Sequence, residues 1–133
     1  MQSSKILRMK KLLLILICLF VSFEVKSKSD DLSGKKIVCK GIESIFITGF
    51  EFLNAFQVKV TFIRIDEGTM RTMTYNYQTT PVEISIGRLT TIDRLTLKMR
   101  NKTECKLIEG NFDSYMNDEL EIIVNEIKSK QKI

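Results

Sequence analysis

The chain contains no histidine and no tryptophan, a single proline, and six glycines spread over 133 residues. Without histidine there is no Ser-His or Cys-His nucleophilic dyad, no histidine-ligated zinc and no imidazole base near neutral pH. The dispersed glycines form no loop that would cradle a phosphate. So few glycines and prolines, with 44% hydrophobic and 28% charged residues, also exclude a low-complexity linker and point to a folded chain. No catalytic, cofactor or metal-ligating residues are predicted.

The formal charge of +5 is concentrated at one end. Lys5, Arg8, Lys10, Lys11 and Lys26 fall in the first 27 residues with only Glu24 against them, which leaves 16 cations and 15 anions for the rest. A nucleic-acid binder needs a cationic face that displaces phosphate counterions. Arg94, Lys98, Arg100 and Lys102 instead read as a solvated strand face, and no nucleic-acid partner is predicted.

The basic start runs into an apolar stretch from Leu12 to Phe23, after which the sequence turns polar. A positive segment, a short apolar run and small residues at cleavage spacing define a secretion signal over residues 1–27. Val25 and Ser27 occupy the −3 and −1 positions for cleavage before Lys28. The start is Met1 or Met9, since Met9-Lys-Lys-Leu opens a more compact signal. Twelve apolar residues span about 18 Å as a helix against about 30 Å of hydrocarbon, so no stable membrane anchor is predicted. Cys18 lies inside the apolar run and follows Ile17, which does not fit a lipid-modified cysteine.

Removing the leader reduces three cysteines to two, Cys39 and Cys105. In an oxidising compartment two remaining thiols pair, the alternative being two separate buried thiols. Closing so long a loop is worth about 4 kcal/mol in the chain-entropy model.

The mature chain reads as β-rich. After a flexible polar lead-in at 28–34, Lys36 to Lys40 forms a short strand, and residues 44–53 form another with Gly49 as a bend. In Phe56-Gln-Val-Lys-Val-Thr-Phe62 the apolar residues recur with a period of two, the mark of a half-buried antiparallel strand. The phase flips at Ile63 and Ile65, which calls for a bulge or a switch between sheets. A turn at Asp66-Glu-Gly-Thr69 leads to a strand that puts Met73, Tyr75 and Tyr77 on one face. Pro81 breaks the pattern. Val82, Ile84 and Ile86 alternate next, then Leu95, Leu97 and Met99 among Arg94, Lys98 and Arg100. After a turn at 101–103 come Cys105 and Leu107.

Beyond Gly110 the period becomes helical, with Met116, Leu120, Ile123, Val124 and Ile127 on one stripe. Ser114 is the expected cap, and the acidic start and basic end suit the helix dipole. The fold class is mainly β: a small antiparallel barrel or a sandwich of six or seven strands, with a C-terminal α-helix at about 113–130. Residues 35–133 then form a single domain.

Seven residues on the strongest strands, Phe56, Val58, Val60, Phe62, Met73, Tyr75 and Tyr77, are candidates to line a ligand cavity. Phe46, Phe50 and Phe52 add to the aromatic supply, and the competing reading is a packed core. The carboxylate pairs Asp30-Asp31 and Asp66-Glu67 sit in polar loop sequence, where solvation explains them better than a hydrolase pair does. Asn101-Lys-Thr103 matches the glycosylation tripeptide, which has meaning only in a eukaryotic secretory route.

The segment Thr91-Ile-Asp-Arg-Leu-Thr-Leu97, followed by Cys105-Lys-Leu107, resembles a pattern in small uncharacterised exported bacterial proteins. There an Ile-Asn/Asp-Arg-x-Thr segment precedes a cysteine in the last strand. The resemblance implies an exported β-domain of bacterial origin and no particular activity. The lysine-heavy composition is compatible with that origin.

The expected role is a non-enzymatic domain, exported to the periplasm or the medium, that binds a protein, an envelope component or a small ligand. A lipocalin-like carrier of an apolar ligand is the alternative, with a carboxylate-dependent hydrolase behind it. Intact mass of the exported protein should show a chain starting at Lys28 and two hydrogens lighter than its reduced form. Recovery with Met1 or Met9 in place and both thiols alkylated without reductant would overturn the compartment reading.

Overall fold

The structure, a computed structural model, describes residues 29–41, 44–100 and 102–133. The expected secretion signal, with the cleavage point expected between Ser27 and Lys28, and Asn101 of the tripeptide fall outside the described residues.

The strands are β1 (Lys36–Lys40), β2 (Phe46–Phe52), β3 (Gln57–Arg64), β4 (Thr69–Thr79), β5 (Glu83–Ile86), β6 (Thr90–Asp93), β7 (Lys98–Met99) and β8 (Glu104–Leu107). One helix, α1 (Phe112–Lys130), follows. Each strand pairs antiparallel with the next, and β8 returns to β1 to close an eight-stranded barrel. Closure removes the edges that a sandwich would leave open. At the seam Ile37 faces Leu107 and Cys39 faces Cys105, and the two cysteines are joined by a disulfide.

Alternation explains how β1, β2 and β3 bury both faces. Ile37, Cys39, Phe50, Phe52, Val58 and Val60 point into the barrel, where Tyr77, Ile84, Ile86 and Ile92 complete a close-packed interior. Val38, Ile47 and Ile63 point outward, and α1 covers them with Phe112, Met116 and Ile123. The phase flip at Ile63 is therefore neither a bulge nor a change of sheet. Pairing runs without interruption from Gln57 opposite Asn76 to Arg64 opposite Thr69. Ile63 is apolar because a helix lies over the outer face, and Phe62 beside it still faces inward.

Three further expectations are corrected. Gly49 is no bend: it pairs in register with Val38 and Thr61. Its missing side chain is what α1 requires, since a Cβ there would stand 2.7 Å from Met116 Sδ and 2.8 Å from Phe112 Cζ. The strand expected over Arg94 to Arg100 is mostly a turn. Asp93 accepts from the Leu95 and Thr96 amides at 2.8 and 3.0 Å, Leu97 takes φ 53°, and Leu95 is 77% exposed. A side chain that caps its own following amides competes with the ladder, so the strand lies earlier, at Thr90–Asp93, with Ile92 buried. The cap of α1 is Asn111 rather than Ser114: the Asn111 side chain accepts from the Ser114 amide at 2.9 Å.

The lead-in, expected to be flexible, is instead tied down across one end of the barrel at Ser29, Asp30 and Leu32. Ser29 and Asp30 bond to Thr79, Asp30 pairs with Arg94 at 2.8 Å, and the Leu32 amide donates to the Tyr77 hydroxyl at 3.0 Å. That hydroxyl donates in turn to the Asn54 carbonyl at 2.7 Å, and the Tyr77 ring meets Phe52 edge-on at 4.8 Å. This end is plugged.

Gly49→Ala should lower the stability of the domain by about 1–3 kcal/mol, the usual cost of overpacking. The loss appears as a lower denaturant midpoint with the m-value unchanged. An unchanged midpoint would mean that α1 does not press on β2.

Candidate functional site

The other end of the barrel is open because the strands differ in length. β4 has 11 residues, but β5 has only 4 and pairs with Tyr77, Gln78 and Thr79 alone. The Gly87 amide donates to the Asn76 carbonyl at 2.8 Å, and Gly87, at φ 49°, sits against the Tyr75 ring. Past that point the Thr69–Tyr75 stretch of β4 is paired, among the described residues, with β3 only. The inner face of β2, β3 and β4 thus continues beyond the packed interior with no described strand opposite it.

Cross-strand partners share a face, so the register fixes what this surface presents. Phe46 stands opposite Arg64, Phe62 opposite Arg71, and Val60 opposite Met73. A cleft of about 600 Å³ results, lined by Phe46, Phe62, Arg64, Glu67, Thr69, Met70, Arg71, Met73 and Tyr75. That volume lies within the range of small-molecule sites, about 300–1,000 Å³. Phe46 and Phe62 meet edge-to-face at 6.2 Å, and the Tyr75 hydroxyl reaches Met73 Sδ at 3.5 Å.

The two arginines are not equivalent. Arg64 Nε donates to Asp66 Oδ1 at 2.9 Å and Nη2 to Oδ2 at 3.3 Å, while Nη1 lies 3.6 Å from Glu67 Oε1. These partners hold the guanidinium above its ordinary pKa, with the Asp66 hydrogen bond the main cause. The same bond holds the Asp66 carboxyl below its ordinary value. Arg71 makes no ion pair among the described residues.

Of the candidate lining residues, Phe62, Met73 and Tyr75 lie in the cleft, as does Phe46 from the wider aromatic set, whereas Phe50 and Phe52 are buried in the interior. Val58, Val60 and Tyr77 are buried in the barrel interior, and Phe56, 73% exposed, lies at the plugged end. Arg64, Met70 and Arg71 are not among the sequence candidates, and Glu67 and Thr69 figure there only as turn residues, Glu67 also in a solvated carboxylate pair. The signal for the arginines was there: Arg64 continues the inward phase of Val58, Val60 and Phe62, and Arg71 continues that of Tyr75 and Met73.

Elsewhere a shallower cleft of about 330 Å³, bordered by Glu83, Asp93, Lys98 and Arg100, lies beside the β6–β7 turn. On the helix side Lys59 bridges Glu51 and Asp113 at 3.1 and 2.9 Å, which fastens α1 to β2 and β3. Among the described residues no three His, Cys, Asp or Glu side chains gather to hold a metal, and no helix is long and apolar enough to cross a membrane.

Comparison of the chain with protein-family models, with curated proteins and with solved structures finds no match.

The Asp66–Arg64 pair has a definite pH signature. A depressed carboxyl contributes stability above its unfolded pKa and loses it as pH falls through the folded one, so the pair acts at neutral pH and is released in acid. NMR titration of the Asp66 carboxyl should give a midpoint below the usual Asp range, and Arg64→Gln should raise it. A midpoint that ignores the substitution would exclude the pairing.

Proposed function

We propose that this protein is an exported, non-enzymatic binding domain, working in the periplasm or the medium, and that it holds its ligand in the open mouth of the barrel. The observation that carries this reading is the contrast between the two ends of one continuous inner surface. Below, Phe50, Phe52, Val58, Val60, Tyr77, Ile84, Ile86 and Ile92 fill the space that an enclosed carrier would need. Above, the same surface opens into a cleft of about 600 Å³ with aromatic and methionine walls.

Exposed aromatic and thioether groups gathered in a concavity are the usual makings of a small-molecule site. Export fits the disulfide, which persists where thiols oxidise. A carboxylate hydrolase finds less support. The carboxylates at the mouth, Asp66 and Glu67, are both engaged by Arg64, and Glu51 and Asp113 are engaged by Lys59. The carrier alternative is thereby recast: an apolar ligand would rest at the mouth, not inside the barrel.

The neutral fluorophore N-phenyl-1-naphthylamine tests the site. It should bind the oxidised domain saturably, and Met73→Glu should weaken it at least ten-fold, whereas Leu95→Glu, at an exposed turn near the plugged end, should not. Absence of saturable binding, or equal loss in both variants, would refute the mouth as a binding site.

A further inference from the structure

We infer that the mouth selects an amphipathic monocarboxylate, a molecule with an apolar body and one carboxylate head, with Arg71 as the group that receives the head. This rests on the reading of the mouth as a ligand site and assigns the class of ligand.

The inference starts from the charge balance of the lining. Two guanidinium groups and one carboxylate border the cleft. Arg64 already has Asp66 and Glu67 within 2.9 and 3.6 Å, so its charge is answered from within the protein. Arg71 makes no ion pair among the described residues and stands opposite Phe62 on the inward face. One cation thus remains unanswered beside an apolar wall.

A guanidinium presents a planar fork that matches the two oxygens of a carboxylate, and a desolvating surface nearby strengthens such a pair relative to water. The body of the ligand would lie along Phe46, Phe62, Met73 and Tyr75. Glu67 narrows the choice further. Its negative charge borders the same cleft, so a dianion such as a phosphate monoester meets repulsion that a monoanion with a single point of charge largely avoids. A cationic amphiphile would set its head against Arg71.

The rest of the surface offers no competing case. The cleft beside the β6–β7 turn is smaller, about 330 Å³, and two carboxylates, Glu83 and Asp93, border it among Lys98, Arg100 and Lys102. The exposed apolar residues Phe56, Leu95 and Ile122 lie in the β2–β3 connection, the β6–β7 turn and α1 respectively.

Four ten-carbon probes with different heads, decanoate, decanol, decyltrimethylammonium and decyl phosphate, distinguish the outcomes. Each is used below its micellar concentration to displace N-phenyl-1-naphthylamine from the oxidised domain at neutral pH. Decanoate should compete at least ten-fold better than decanol, and the cationic probe worst. Arg71→Gln should erase the preference for decanoate over decanol, read as the ratio of their displacement constants on the same variant, and Glu67→Gln should improve competition by decyl phosphate. Far-UV circular dichroism of both variants checks that the barrel is intact. If decanoate and decanol compete equally on the unaltered protein, or the preference survives Arg71→Gln, the carboxylate inference falls while the mouth remains a binding site. If the fluorophore itself does not bind, the site falls first.

Discussion

Pairing of β1 with β8 is the contact on which the barrel depends. Every other strand pair joins neighbours in sequence through a short connection, so each of those hairpins is closed locally. The β1–β8 seam joins segments 66 residues apart at Cys39 and Cys105, and the entropy of bringing them together must be met at that one place. A covalent link at the seam removes most of that cost, about 4 kcal/mol for a loop of this size. Without the seam, β1 and β8 would present open edges, and the two clusters that share β1 would lose a wall in common.

That shared wall explains why the molecule has two cores. Ile37 and Cys39 face the interior while Val38, between them, faces α1. The same division continues through β2, where Gly49 lets Phe112 and Met116 approach the backbone, and through β3, where Val60 and Ile63 serve opposite sides. Lys59 then ties the outer layer down through Glu51 on one side and Asp113 on the other. A short barrel covered in this way fills its interior with large side chains and leaves concave apolar surface only where the strands outrun their partners.

Much of this architecture was legible in the residues. Alternation in Phe56 to Phe62 and Thr72 to Tyr77, the helical stripe from Met116 to Ile127 and the pairing of Cys39 with Cys105 all rest on local periodicity or counting. What stayed hidden depended on distant partners. Barrel and sandwich differ only in whether β8 meets β1, and no strand encodes that by its own period. Ile63 looked like a break in phase because a second buried face was not considered, and Gly49 looked like a bend because the helix that needs its bare Cα lies more than 60 residues downstream. The turn at Asp93 is hidden because a carboxylate that accepts from the Leu95 and Thr96 amides leaves no mark on hydrophobic spacing. At the mouth, Phe62, Met73 and Tyr75 were found as apolar members of their strands. Arg64 and Arg71 hold the same phase, but a charged residue near a strand end reads as solvated. Only the shortness of β5 shows that the face beyond it is both inward and open.

The one-sided bonding of the mouth half of β4 has a mechanical result. Among the described residues Thr69 to Tyr75 are held by β3 alone, whereas Tyr77 to Thr79 are held from both sides. A segment with half the ladder and exposed backbone opens at lower free energy than the doubly bonded strands around it. It is also the segment that carries Met70, Met73 and Arg71, and unbranched thioethers re-pack readily. The rim is thus a compliant wall on a stiff base: it yields to differences in bulk, while the fixed positive charge mounted on it does not vary with shape. Hydrogen exchange would register that gradient as protection rising along a single strand, from the hairpin tip toward the plugged end.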